Sequence, residues 1–292
     1  MDWYTLAFLS AIFSAAAAIS QKKILFNIDA LEFSFILSLF NALLALLFLI
    51  NTNLDSISFL SLLILYGKTI LGALAFYCVM LALKNMEISG ALPLMVLTPG
   101  IVAIFAFFIL GESLSSLEII GITLLLFGTY ILEVRKSKNI FQPFKIFVKS
   151  KYHHYIIYAL LLFTLSSIID KVLLRDYKLP PYEFIGFQHL FLATNFLLLV
   201  LISKNNPVKI LSKVNNKLFG WIFLISIFTI GYRYTQIEAV KLAPVALVLT
   251  IKRTSVFFAV LFGGKLFSEQ SLLKKTIATI IMLVGAYLIV TH

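Results

Sequence analysis

Lys252 and Arg253 stand side by side in "LTIKRTSVFF" (249–258), inside an apolar stretch from Ala246 to Phe262 that holds no other charged residue. A cation at the centre of a membrane span costs about 2.5 to 3.5 kcal/mol on insertion scales, so it is expected to face a cavity or a partner. Lys252 is about eight residues from one end of its span and about eleven from the other, roughly 12 and 16 Å at the helical rise, which strains any snorkelling. Neighbours on a helix diverge by about 100°, so the two side chains point in different directions. Lys252 shares a face with Ser255 and Ala259, and Arg253 with Leu249, Thr250 and Phe257. A guanidinium makes bidentate contacts to carboxylate or phosphate, and an ammonium acts as a point charge. The pair therefore suits an anionic or zwitterionic ligand; the structural alternative is a buried ion pair that ties helices together.

Other polar groups interrupt apolar sequence in the same way. Arg233 lies in "GYRYTQIEAV" (231–240) between Tyr232 and Tyr234, with Gln236 three residues on and on the same face. Lys68 opens "KTILGALAFY", with the small Gly72 one turn later and the Tyr77 ring at its end. Gln188, His189 and Asn195 share one apolar segment, Gln188 and Asn195 on one face at i and i+7. These ten residues are the candidate substrate contacts. Asp170, preceded by Ser166 and Ser167, followed by Lys171, and Glu238 are the coupling or counter-ion candidates. Each has a plainer reading: Lys68 and Arg233 as snorkelling cations, His189 as a hydrogen-bonded interior residue, Asp170 as a shallow structural group, Glu238 as a solvated helix end. Glu112 and Glu269 fall at span ends and read as helix-turn residues, and Pro93 and Pro99 bracket a segment able to bend.

The same inventory excludes other chemistry. One cysteine, Cys78, allows no internal disulfide, and no Cys/His cluster is present to hold a metal. No cofactor is expected. A phosphate-binding glycine loop is missing, and the net charge of +11 is not gathered in a polar domain as nucleic-acid binding requires. An integral membrane enzyme needs paired histidines, a serine with a base, or two midplane carboxylates, and only His189 and Asp170 are at hand. The chain is therefore read as no enzyme.

These side chains must be positioned by membrane spans. With 61% hydrophobic residues and a mean hydropathy of +1.02, the chain is an all-α integral membrane protein, and its partners are the lipid bilayer and a small molecule. Continuous apolar blocks argue against a barrel. At about 20 residues per crossing, spans fall at roughly 3–24, 32–50, 59–83, 91–110, 117–134, 153–174, 182–202, 218–239, 244–263 and 273–290. The first begins without a basic region or cleavage site and reads as a retained span.

The halves echo each other. Lys84, Glu112, Gly128 and Tyr130 recur as Lys241, Glu269, Gly285 and Tyr287 at a constant offset of 157, so "LFGTYIL" matches "LVGAYLI". "LEF" at 31–33 matches "YEF" at 182–184, and "IIDK" at 168–171 matches the segment around Lys22. Five spans per unit is an odd number, which inverts the second copy. The expectation is ten transmembrane helices as two inverted five-helix repeats, 1–135 and 153–292, joined by a basic connector at 136–152.

The Ala-Leu-Lys or Ala-Val-Lys tripeptide, the proline-marked span, the "GES" or "SEQ" turn and the glycine-containing last helix closely resemble the EamA-type drug/metabolite transporter superfamily. The resemblance covers nearly the whole chain. It implies a ten-helix bundle that carries small metabolites through a central cavity lined from both repeats. Pro99 sits at the family's usual proline, whereas the matching position in the second half is Val256.

Charge sets the orientation. Sixteen cations fall on the side of the basic connector and four on the other, so the connector (135–151) is expected in the cytoplasm and both termini outside a plasma or inner membrane. The expected function is a secondary transporter of small anionic or zwitterionic metabolites working by alternating access, coupled to protons or to exchange. A lipid-linked phosphate flippase is the alternative, and a membrane enzyme a weaker one.

Overall fold

The apolar blocks fold as helices joined by short polar turns. In the computed structural model residues 2–50, 52, 57–98, 101, 115–133, 148–243 and 245–290 are described. The helices are α1 (Trp3–Leu25), α2 (Ala30–Ala45, prolonged by a 3-10 turn Leu46–Leu49), α3 (Phe59–Asn85), α4 (Ile88–Leu94), α5 (Ser116–Glu133), α6 (Lys151–Arg175), α7 (Pro181–Ile202), α8 (Asn216–Leu242), α9 (Val245–Phe258) and α10 (Leu272–Val290). Their starts are encoded locally. Pro181 occupies the first turn of α7, where a missing N–H costs nothing. Asn215 caps α8 by accepting from the Leu218 N–H at 2.9 Å.

Seven of these helices are long and apolar enough to cross a membrane, where sequence spacing predicts ten. Among the described residues two of the others, α4 and α9, are interrupted locally. Pro93 lies inside α4, which tightens into a 3-10 turn at Met95–Leu97. Pro99 and positions 102–110 of that predicted span lie outside the described residues, as do Glu112 and positions 136–147 of the basic connector. α9 gives way to a π-helical turn, Ala259–Gly263, before the short helix Gly264–Leu266.

Packing pairs α1 with α8 and α9, α2 with α7, α3 with α6, and α5 with α10. The α5–α10 contact is set by glycine. A Cβ on Gly121 would lie 2.7 Å from the Gly285 carbonyl oxygen, and one on Gly285 would lie 2.7 Å from that of Gly121. Two backbones meet directly there, as small residues permit in membranes. Phe33, Phe35, Phe184 and Phe196 are fully buried, while Leu47, Phe59 and Leu126 are more than 60% exposed. Large apolar side chains facing outward suit a lipid surroundings.

Two lysines finish helices. Lys22 donates to the carbonyls of Leu83 (2.5 Å) and Met86 (2.7 Å) at the end of α3. Lys171 donates to those of Val240 (2.8 Å) and Ala243 (3.0 Å) at the end of α8. The acceptor pairs are separated by the same 157 residues as the sequence echo. Lys171 is thus a helix-terminating cation, not a counter-ion in a cavity, because its four-carbon stem reaches the orphan carbonyls of a neighbouring helix. Glu269 does the converse. Its carboxylate accepts from the N–H of Ile88 (2.6 Å) and Ser89 (3.0 Å), capping α4 from the other half of the chain.

Candidate functional site

α6 carries Asp170 between α3 and α8, and those neighbours decide its partners. Lys68 Nζ lies 2.7 Å from Asp170 Oδ1, and Arg233 Nη2 lies 2.7 Å from Oδ2. Gln188 Oε1 accepts from Lys68 Nζ at 2.6 Å and from Arg233 Nη2 at 2.6 Å. Both cations also lie over the Phe184 ring, at 5.0 and 5.7 Å from its centroid. Asp170 is only 2% exposed, so it is a buried clamp on two cations and not a shallow surface group.

Lys252 and Arg253 have no such neutralisation. Lys252 Nζ donates to Gln236 Oε1 at 2.5 Å and lies 4.6 Å from the Tyr232 ring centroid. Arg253 Nη2 donates to Thr98 Oγ1 at 3.0 Å, and its Nε is buried without a hydrogen-bond partner. Among the described residues neither cation meets a carboxylate within ion-pair distance.

All five charged groups line one cavity of about 170 Å³ enclosed by α2, α3, α6, α7, α8 and α9. Among the described residues four cations face one carboxylate there, and the burial of these groups strengthens that surplus. Gln188, His189 and Gln236 also line it. His189 is 3% exposed, with neither ring nitrogen hydrogen-bonded. Sequence reasoning passed over Ser34, Ser38 and Asn41 of α2 and Thr229 of α8, which form a hydroxyl- and amide-bearing wall. The i, i+4, i+7 spacing of the α2 residues places them on one helical face and was the available signal.

Besides Lys171, four sequence candidates lie elsewhere. Asn195 is one layer back and donates to Thr69 Oγ1 at 3.1 Å, steadying a residue of the wall. Tyr77 packs against the apolar core. Tyr234, adjacent to Arg233, points away from the cavity; its ring is 5.7 Å from Phe48 and 5.6 Å from Tyr182, and its hydroxyl donates to Tyr182 Oη at 3.3 Å. Glu238 lies one turn beyond Tyr234, outside the wall. On α8 the cavity is met by Thr229, Tyr232, Arg233 and Gln236, and Tyr234 falls on the far side of the helix from them.

The order of residues along α7 gives the depth of these layers. Tyr182 joins the Phe48–Tyr234 aromatic group, Phe184 lies under the two clamped cations, Gln188 meets them, and His189, Leu192 and Phe196 face the cavity. Towards this end an ion-paired layer and then an aromatic layer follow the cavity. A second chamber of about 130 Å³ adjoins it across Lys252, Arg253, Tyr232, Phe76 and Phe163.

Comparison with known proteins bears on this arrangement. A solved structure described only as "Crystal structure of protein" is similar at 14% identity over 99% of this chain and 96% of that one, with a TM-score of 0.65, a likeness of fold. No curated protein matches. The model of the EamA-like transporter family matches twice, over residues 1–134 and 151–291. The paired cavity-lining cations thus lie within a chain that is matched almost end to end, and it belongs to the EamA-like transporter family, of the drug/metabolite transporter type.

Proposed function

We propose that this transporter carries small anionic or zwitterionic metabolites by alternating access, through a cavity between two inverted five-helix repeats, 1–135 and 153–292. Two family matches and the equivalent lysine caps on α3 and α8 support the repeat. The observation that carries the substrate reading is the division of labour among the cations. Asp170 and Gln188 satisfy Lys68 and Arg233, which leaves Lys252 and Arg253 as positive charge free to meet a ligand. The end with Phe48, Tyr182 and Tyr234 is assigned to the outside. The opposite end, where Lys23, Lys84, Lys213 and Lys217 surround a recess, is assigned to the cytoplasm. Asp170, the carboxylate among the described lining residues, is the group through which proton drive would run.

Proteoliposomes holding the purified protein test the proposal. Labelled small organic anions and zwitterions are expected to accumulate and to be recovered chemically unchanged, while cations of equal size are excluded. Uptake of cations alone, or recovery of an altered compound, contradicts it.

A further inference from the structure

The chamber beyond the cationic pair extends the main cavity and adds apolar side chains that the main cavity lacks. Ser34, Ser38, Asn41 and Thr229 line the main cavity. Ala15, Ala18, Val79, Met80, Leu92 and Ala259 line the second, its polar groups apart from the shared ones being Ser14, Gln21 and Ser255. The run "SAAAAIS" on α1 explains why there is space at all, since its small side chains leave a gap between α1 and α3 where larger ones would close it. Lys252 and Arg253 belong to both walls, so a charged group held by them has the Ser34, Ser38, Asn41 and Thr229 wall on one side and the side chains of Ala15, Val79, Met80 and Leu92 within reach on the other.

We infer that the substrate is an amphipathic anion: a carboxylate or similar group held at Lys252 and Arg253, with an apolar substituent of a few carbons seated in the alanine-lined chamber. This rests on the proposed anion transport and narrows it. A fully hydrophilic polyanion gains nothing from the Ala15, Val79, Met80 and Leu92 side chains, whereas an aliphatic tail gains the transfer free energy of each methylene buried against them.

The test is a homologous series of unbranched monocarboxylates, acetate, butyrate and hexanoate, titrated onto the purified protein with thermal stabilisation as the readout. The half-saturating concentration is expected to fall about three- to fourfold per added methylene. In Ala18→Leu, whose side chain fills the chamber, the series flattens. A neutral alcohol of the same length, hexanol, is expected to stabilise far less than hexanoate. If acetate and hexanoate bind the parent protein equally well, the apolar chamber holds no substituent and this inference fails while the anion reading stands. If hexanol matches hexanoate, the carboxylate is not held by the cations and the inference fails. If no carboxylate stabilises the parent at any length, the anion reading falls and takes this inference with it.

Discussion

Asp170→Asn is expected to lower the stability of the purified protein by roughly 3 to 5 kcal/mol, the usual cost of removing one partner from a buried ion pair. The asparagine keeps the shape of the side chain but not its charge. Lys68, 4% exposed, and Arg233 are then left facing each other without the carboxylate now 2.7 Å from both. Unfolding followed by tryptophan fluorescence should show a midpoint lower by on the order of ten degrees. The double substitution Asp170→Asn with Lys68→Met removes one of the orphaned charges and should recover part of the loss. Unchanged unfolding of the single variant would mean that Asp170 clamps nothing.

Lys252→Met and Arg253→Met should behave in the opposite way. Removing a buried cation that has no carboxylate partner among the described residues, in favour of an apolar chain of similar length, relieves a desolvation cost, so thermal stability should hold or rise. Function should collapse. A lost charge contact to a bound anion is worth about 2 kcal/mol or more, which corresponds to at least a ~30-fold drop in anion uptake at low concentration. Arg253→Lys keeps the charge and loses the fork geometry, so it should fall between parent and Arg253→Met. Initial uptake rates in proteoliposomes, paired with melting curves, separate the two classes of cation: one that holds the fold through Asp170, and one that is held for the ligand. A stable, fully active Arg253→Met would remove that residue from the transport path.

The features that sequence spacing discloses are those set by chain-local rules. Helix positions and the recurrence at 157 residues follow from apolar length and offset, whereas Glu269, read from its place at a span end as a helix-turn residue, caps α4 from the other half of the chain. That two cations at 252 and 253 need a cavity follows from the cost of burying charge. Partner choice does not follow from such rules. Asp170 reads as a companion for Lys252 or Arg253, yet it pairs with Lys68 and Arg233 because α6 lies against α3 and α8. Lys171 reads as a counter-ion beside Asp170, yet a 100° turn sends it to the end of α8. Tyr77 and Tyr234 were grouped with their polar neighbours by residue type, and the face of the helix decides otherwise. The second chamber was invisible because it is an absence of side-chain volume, shared among α1, α3, α4 and α9, and no single segment announces it.

The central claim, that the cavity is built around a positive charge reserved for the ligand, is tested most directly by ligand-induced stabilisation of the purified protein at equal concentrations of small anions, zwitterions and cations. The account predicts that anionic or zwitterionic compounds raise the unfolding temperature of the parent, that cations do not, and that the response disappears in Arg253→Met although that variant is at least as stable as the parent. Stabilisation by cations alone, or an anion response that survives unchanged in both Arg253→Met and Lys252→Met, would contradict it.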